Sequence, residues 1–236
     1  MEKQLEVKRH ELKFYINQVD YHYAKSLLDE LMQRDSHQKD PEGYFIRSLY
    51  LDDLYDTSVV EKLAGIENRD KYRLRIYDID QDWVKLERKR KQNDYVQKTS
   101  AIISKKDSEN IVKGDYDCLL KYKQQGAQSI YFDLKRKFIK PAVIVDYIRD
   151  AYMLDYNEIR ITFDKKLRAN DQDYDLFSPN IKTEPLLRDE VIIMEIKFNH
   201  FLPPWFPNLF KFESATKSAI SKYCQSRLKT GDYSPI

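Results

Sequence analysis

Polar and apolar residues alternate along much of the chain, and this period of two predicts strands with one charged and one apolar face. The alternation is strongest at residues 71–77 and 83–90, and the second ribbon continues towards residue 103. Further strands are predicted at residues 8–16, 44–51, 142–153, 159–167 and 191–198.

Helical spacing appears in four other stretches. One helix begins at Asp20 as its cap and places Tyr23, Leu27, Leu28, Leu31 and Met32 on one side. A short helix starts at Asp56 or Thr57 and ends near Gly65, residues 104–137 are helical, and Ser214 caps a last helix over residues 215–229. Strands on both sides of a helical middle are typical of an α+β fold.

Nothing in the composition marks a boundary between domains. The 236 residues contain only 5 Gly and 8 Pro, without a linker-like run, so we expect a single domain over residues 1–236. A net charge of +2 and scattered aromatic residues give no reason to expect nucleic-acid binding. The polar amino terminus and the lack of a long apolar stretch favour the cytoplasm.

Charged residues two positions apart share one face of a strand. The pattern Glu-x-Lys occurs in three predicted strands, and two further strands carry polar lines. These residues are Glu11 with Lys13, Glu87 with Lys89, Glu195 with Lys197, Arg73 with Arg75, and Arg160 with Thr162 and Asp164. The opposite face is apolar and suits covering by helices.

The charged face has two interpretations. An antiparallel sheet commonly turns such a face to solvent, and Glu11 and Glu87 then form ion pairs with their in-line lysines. Adjacent Arg73 and Arg75 instead repel by on the order of 1–3 kcal/mol, which a bound polyanion would relieve. If about eight strands close into a barrel, the interior holds one slender ligand. The sequence has no Gly-rich phosphate loop, so Arg and Lys side chains must bind any phosphates.

Metal-binding signals are few. The four His residues form no His-Glu-x-x-His motif, which disfavours zinc. A carboxylate such as Glu195 beside bound phosphates suits Mg²⁺ or Mn²⁺, which need few protein ligands.

Eight short segments along the chain carry a recognisable set of motifs. They are RHELKF (9–14), RSLYLD (47–52), KYRLRIY (71–77), LERK (86–89) followed by Lys98, YIR (147–149), RITFD (160–164), MEIKF (194–198) and SKY (221–223). In their order and number these motifs resemble the polyphosphate polymerase domain of the vacuolar transporter chaperone (VTC) family, a branch of the triphosphate tunnel metalloenzymes. The resemblance implies a closed tunnel of eight antiparallel strands with helices outside and nucleotide phosphates inside.

The resemblance also implies roles for particular residues. Glu195 would hold the Mn²⁺ or Mg²⁺ ion, and Glu11 and Glu87 would be acid–base or structural residues. The catalytic cations would be Arg73, Arg75, Lys89, Arg160, Lys197 and Lys222. The other phosphate-binding residues would be Lys13, Arg47, Lys98, Arg149 and Ser221.

The function that the resemblance implies is transfer of the γ-phosphate of ATP to a growing polyphosphate chain. Its partners would be ATP, inorganic polyphosphate and pyrophosphate, together with a separate membrane protein at the inner face of the membrane. Hydrolases of the superfamily carry Glu-x-Glu-x-Lys on the first strand, where this chain has Arg9, and this difference favours transfer over hydrolysis. The alternatives are a tripolyphosphatase or nucleoside triphosphatase, and a non-catalytic polyphosphate-binding module.

Overall fold

The computed structural model describes residues 9–93, 95–210, 212 and 215–230. Its strands are β1 (Arg9–Ile16), β2 (Gln33–Arg34), β3 (Tyr44–Asp52), β4 (Arg69–Ile76), β5 (Trp83–Gln92), β6 (Tyr95–Ser104), β7 (Lys140–Leu154), β8 (Ile159–Asn170), β9 (Glu184–Pro185), β10 (Ile192–Asn199) and β11 (Thr216–Lys217). Its helices are α1 (Gln18–Leu31), α2 (Thr57–Leu63), α3 (Lys105–Val112), α4 (Gln125–Lys137), α5 (Phe206–Leu209) and α6 (Lys222–Thr230). The predicted long strands are therefore present, with bounds shifted by one to three residues.

Helix α1 begins earlier than the sequence predicted. Asn17 is its cap, because the Asn17 side chain accepts a hydrogen bond of 2.8 Å from the backbone N–H of Asp20. The predicted apolar face is also wrong in part, since Tyr23 and Leu31 are 54% and 46% exposed. The residues that α1 buries are Tyr21, Ala24 and Leu28.

The carboxyl-terminal helix is shorter than predicted. Its predicted cap, Ser214, lies outside the described residues, and α6 begins only at Lys222. Thr216 and Lys217 are extended and pair with β1, and the N–H of Ser218 donates to the Lys13 carbonyl at 3.0 Å. Pairing with the free edge of β1 therefore replaces the first turns of the predicted helix.

The chain forms two compact units whose segments alternate along the sequence. Unit 1 comprises residues 1–45, 147–167 and 187–220, and unit 2 comprises residues 46–146, 168–186 and 221–236. Their strand order is β11-β1-β10-β8-β7 in unit 1 and β3-β4-β5-β6 in unit 2, and β3, β7 and β8 each contribute residues to both. Whether the whole chain acts as the expected single domain stays a prediction.

Each unit has its own hydrophobic core on the apolar face of its strands. In unit 1, α1 packs on this face. In unit 2, α3 and α4 cover it with Ile111, Ile130 and Leu134, which pack among Leu49, Leu74 and Leu86 of the strands. Both cores are fully buried, so the alternation correctly identified the face that turns inward.

The expected closed barrel of eight strands is wrong, whereas the antiparallel α+β class is confirmed. The hydrogen-bonded sheet contains eleven strands, nine along one path with β2 beside β7 and β9 beside β8, and the path is not closed among the described residues. The edge strand β6 shows the physical reason. The N–H groups of Ile102 and Ser104 donate to the Gln124 side chain (3.1 Å) and the Tyr122 hydroxyl (2.8 Å), so side chains satisfy donors that a further strand would need.

No helix within the described ranges has both the length and the apolar character that a bilayer span requires.

Gly43 occupies a position that a larger residue does not fit. Its φ is +109°, and a Cβ atom there would lie 2.4 Å from the carbonyl oxygen of Arg149. Gly65 also has a positive φ, +72°, but its Cβ would meet open space. Substitutions at these two glycines therefore distinguish the cost of backbone strain from the cost of steric overlap.

We expect Gly43→Ala to lower the free energy of unfolding by at least about 2 kcal/mol more than Gly65→Ala. Gly65→Ala should cost roughly 1 kcal/mol, because it carries only the strain of a positive φ. Urea unfolding of both variants beside the wild type measures the difference. Equal losses would show that the chain near Gly43 moves away from Arg149 at little cost.

Candidate functional site

One face of the unit 2 sheet carries five of the ten predicted phosphate-binding cations. The register places Arg75 beside Ser48 and Lys85, Arg73 beside Tyr50 and Glu87, and Lys89 between Lys71 and Lys98. We call this surface the unit 2 charged face. Its residues are Ser48, Tyr50, Asp52, Lys71, Arg73, Arg75, Lys85, Glu87, Lys89 and Lys98, together with Lys222 of α6.

Glu87 is the centre of this face. It is 2% exposed, and its carboxylate accepts a hydrogen bond of 2.6 Å from Arg73 Nε, lies 3.8 Å from Arg75 Nη1 and pairs with Lys98. Burial alone would raise the pKa of Glu87, but the three cations hold it well below its usual range. A carboxylate that is so hard to protonate is a weak general base, and this geometry favours the structural role over the acid–base role.

The pKa of Tyr50 reflects the positive charge around Glu87. The phenol is 7% exposed, and burial opposes its ionisation. Its pKa is nevertheless lowered, because Arg73, Arg75 and Lys222 surround it and Arg73 donates a hydrogen bond to its oxygen. Lys222 thus belongs to the same face as the two arginines, as the sequence predicted.

The start of α6 is held in place by three groups of contacts within unit 2. The ring of Tyr223 stacks on Tyr50 at 5.0 Å, and its hydroxyl donates to Asp52 at 2.6 Å. Ser221 Oγ accepts from Lys71 Nζ at 2.7 Å and from the N–H of Cys224 at 3.3 Å, which makes Ser221 the helix cap. The Ser221 hydroxyl therefore positions Lys222 in this structure.

Arg47 lies on the other face of β3. It pairs with Ile76 in the register, one residue out of phase with Ser48 and Tyr50. Its guanidinium makes two hydrogen bonds to Asp146 (2.9 and 2.8 Å) and one to the Ser178 carbonyl (2.6 Å). The structure therefore does not bring Arg47 together with the other predicted phosphate-binding residues of unit 2.

Unit 1 carries a second charged face, and the register brings its predicted residues together. Lys13 lies beside Glu195, Glu11 beside Lys197, and Glu195 and Lys197 beside Thr162 and Arg160 on the next strand. We call this surface the unit 1 charged face. Its residues are Glu11, Lys13, Arg149, Arg160, Thr162, Asp164, Glu195 and Lys197.

Cations and carboxylates on the unit 1 charged face form pairs. Lys13 Nζ lies 2.6 Å from Glu11, and Lys197 Nζ lies 2.8 Å from Glu195. Arg149 is 9% exposed and makes a two-point contact with Asp164 at 2.7 and 2.8 Å. The fourth cation, Arg160, donates to Asp35 at 2.6 Å. Each of the four cations therefore has a carboxylate partner.

Lys197 combines solvent access with a shifted pKa. Its side chain is 47% exposed, yet the pKa of its ammonium is lowered. The surrounding protein disfavours the charge, and Glu195 and Glu11 only partly offset this effect. An anion bound beside Lys197 would stabilise its charged form.

The residues around Glu195 fit a divalent cation that takes most of its ligands from phosphate and water. Glu195 is 5% exposed, and its register neighbour Thr162 has a buried Oγ1 without a hydrogen-bond partner among the described residues. Oxygen donors of this kind suit Mg²⁺ or Mn²⁺. No group of three or more His, Cys, Asp or Glu side chains suited to a metal occurs in the part of the chain that the structure describes.

The two faces differ in charge balance. On the unit 1 charged face four cations meet three carboxylates, and Asp35 supplies the fourth. The unit 2 charged face has seven cations and only two carboxylates, Glu87 and Asp52. Burial raises the pKa of Asp52. Unit 2 therefore holds the surplus of positive charge that a polyanion requires.

Sequence reasoning gave no role to Lys85, Lys71 and Tyr50 of the unit 2 charged face. Lys85 shares the phase of Glu87 and Lys89, so the same period of two would have found it. Lys71 and Tyr50 follow from the same rule on β4 and β3. Thr162 was placed on its polar line, but only burial reveals its unpaired hydroxyl.

The fold and the two faces define a class: antiparallel α+β proteins with a cation-rich sheet face. The VTC domain model matches residues 8–230, so the chain belongs to the VTC domain family. The family prediction from the motifs is confirmed. No curated protein sequence matches the chain.

The chain is similar to solved structures at low sequence identity. A protein from Hippeastrum, assigned as an adenylyl cyclase and found to have a dominant triphosphatase activity, is 13% identical, with a TM-score of 0.54 over 93% of this chain and 95% of that one. A protein from Bacillus halodurans assigned as an adenylate cyclase is 11% identical, with a TM-score of 0.46 over 86% and 88%. Of these two scores only the first exceeds 0.5, so of these two structures the Hippeastrum protein is the one that supports the fold.

The position of Glu87 among three cations predicts a loss of stability when its charge is removed. We expect Glu87→Gln to lower the free energy of unfolding by about 3 kcal/mol at pH 7, since a buried carboxylate that pairs with three cations loses its charge. Glu109→Gln, an exposed carboxylate on α3, is the control and should change stability by less than about 0.5 kcal/mol. Tripolyphosphate should stabilise Glu87→Gln more than the wild type.

The same substitution has a defined pH dependence. The folded pKa of Glu87 is lowered, so its stabilisation is complete above the unfolded value of about 4.3 and is lost as pH falls below it. The stability difference between wild type and Glu87→Gln should therefore shrink below about pH 4. A difference that grows in acid would contradict the assigned ion pairs.

Proposed function

We propose that the protein is a polyphosphate polymerase, a divalent-metal-dependent phosphotransferase that moves the γ-phosphate of ATP to an inorganic polyphosphate chain. Membership of the VTC domain family supports this proposal. The observation that carries it is the surplus of cations around buried Glu87 on the unit 2 charged face. Such a face favours a ligand with several negative charges in a row.

The chemistry needs little covalent help from the protein. A terminal phosphate oxygen of the chain forms a bond to the γ-phosphorus of ATP, the bond to the β,γ-bridging oxygen breaks, and ADP leaves with that oxygen. The attacking phosphate has a second pKa near 6, so it is mostly ionised at neutral pH without a general base. Positioning and charge neutralisation therefore lower most of the barrier.

In unit 2, the proposed role of the charged face is to bind phosphate oxygens. Arg73 and Arg75 offer donors that Glu87 orients, and Lys98 shares the same carboxylate. Lys89 and Lys222 add positive charge from a neighbouring position on β5 and from α6. Ser221 acts by positioning Lys222 as the helix cap.

In unit 1, Lys13, Arg149, Arg160 and Lys197 are proposed to bind phosphate oxygens from within their ion pairs. A ligand phosphate would compete with Glu11 and Glu195 for the two lysine ammonium groups. Lys197 gains most, because an anion would offset the burial that lowers the pKa of its ammonium. Glu195 and Thr162 would hold a Mg²⁺ or Mn²⁺ ion, which when bound would neutralise charge on phosphate oxygens.

A triphosphatase is the second candidate, since the Hippeastrum protein of the same fold is described as having that activity. Water would then replace the phosphate acceptor and need a general base. The lowered pKa of Glu87 makes it a poor base, and Glu11, which pairs with Lys13, is the remaining candidate from the sequence. A non-catalytic polyphosphate-binding module would keep the cations without turnover.

Incubation of the purified protein with ATP and Mn²⁺ or Mg²⁺ should yield ADP and polyphosphate long enough to resolve on a gel. Glu195→Gln should reduce the rate by about 100-fold or more, because the metal loses its only charged ligand in the proposal. Glu109→Gln is the matched control and should leave the rate unchanged. Thermal unfolding midpoints close to that of the wild type would exclude loss of the fold as the cause of a lower rate.

The products separate the candidates. ADP with orthophosphate and no polymer would replace the polymerase with the triphosphatase. Binding of polyphosphate that Glu195→Gln does not alter, without ADP formation across metals and primers, would identify a binding module and overturn both enzymes.

A further inference from the structure

Lys85 is a charged residue of unit 2 to which neither the motifs nor the family match gives a role. It lies on β5 in phase with Glu87 and Lys89, and the register places it directly beside Arg75. The residue is half-buried, and no described residue forms a hydrogen bond or an ion pair with its ammonium. A partly desolvated ammonium without a carboxylate is costly unless a ligand compensates it.

The unit 2 charged face consists of three rows across the sheet. The first row contains Arg75 and Lys85, the second contains Arg73 and Glu87, and the third contains Lys89 and Lys98. Residues two apart on a strand are separated by about 7 Å, so the backbones of the first and third rows lie about 14 Å apart, although the Lys98 side chain reaches back to Glu87 of the second row. A short phosphate ligand cannot contact all three rows, whereas an extended chain can.

Within the first row, Lys85 is the cation that is not engaged. Arg75 Nε donates to Ser48 Oγ at 3.2 Å, and its Nη1 faces Glu87 at 3.8 Å. Lys85 also lies near Lys98. Burial is the largest cause of the lowered pKa of Lys98, and repulsion by the Lys85 ammonium lowers it further. An anion bound at Lys85 would relieve both the desolvation and the repulsion.

We infer that Lys85 is a phosphate-binding residue that extends the unit 2 charged face by one row and makes it prefer phosphate chains over pyrophosphate. The inference rests on the proposed polyphosphate substrate. It concerns recognition of chain length and is separate from the transfer step. Lys85 binds a phosphate beyond those that Arg73 and Lys98 contact.

The test is calorimetric titration of the full chain with pyrophosphate and with long-chain polyphosphate, in EDTA so that no turnover occurs. Lys85→Met should weaken chain binding about tenfold, the loss expected for one charge-assisted hydrogen bond, and pyrophosphate binding less than about twofold. Lys85→Arg keeps the charge and should retain most of the chain affinity. Lys106→Met, which removes an exposed ammonium from α3, is the control and should bind both ligands as the wild type does.

The outcomes are distinct from those of the polymerase assay. Chain affinity unchanged in Lys85→Met, or an equal loss for both ligands, would overturn the inference even if ATP yields polymer. A selective loss for the chain supports it even if no polymer forms. A loss of affinity for the polyphosphate chain in Lys85→Arg would also count against a role based on charge.

Discussion

The unit 2 structure depends on one buried carboxylate. Glu87 sits among two guanidinium groups and an ammonium on a single sheet face, where each cation would otherwise repel its neighbours. The carboxylate orients the cations and neutralises part of their charge, and it leaves a clear positive surplus. The ion pairs reduce the repulsion within the face, and the remaining positive charge is what the proposed polyanionic ligand would neutralise.

The unit 1 charged face has the same alternating strand pattern as that of unit 2 but a different balance of cations and carboxylates. Its alternating Glu and Lys residues pair along their own strands, and Arg149 is held by Asp164 in a two-point contact. What distinguishes this face is oxygen chemistry, because a buried carboxylate lies next to the unpaired Thr162 hydroxyl. Unit 2 thus offers positive charge, and unit 1 offers donors suited to a hard cation.

Contacts at the start of helix α6 position one residue of the unit 2 charged face. Ser221 caps α6 and accepts from Lys71, while Tyr223 is fixed by Asp52 and by stacking on Tyr50. These contacts set the position of Lys222, which then adds to the field that lowers the pKa of Tyr50. A role for Ser221 in phosphate binding is therefore better understood through the lysine that follows it.

The period of two in the sequence determined the long strands, their charged and apolar faces, and most members of both faces, because side-chain direction in a strand is fixed by the backbone. It also set the phase of Arg47, which shares a face with Leu49, but it did not determine the partners of Arg47, which are Asp146 and the Ser178 carbonyl from distant segments. Nor did it determine sheet closure, because β6 satisfies its edge donors with Gln124 and Tyr122. Charge balance was likewise decided by tertiary structure, because Glu87 takes its partners from neighbouring strands and the sequence shows only neighbours along one.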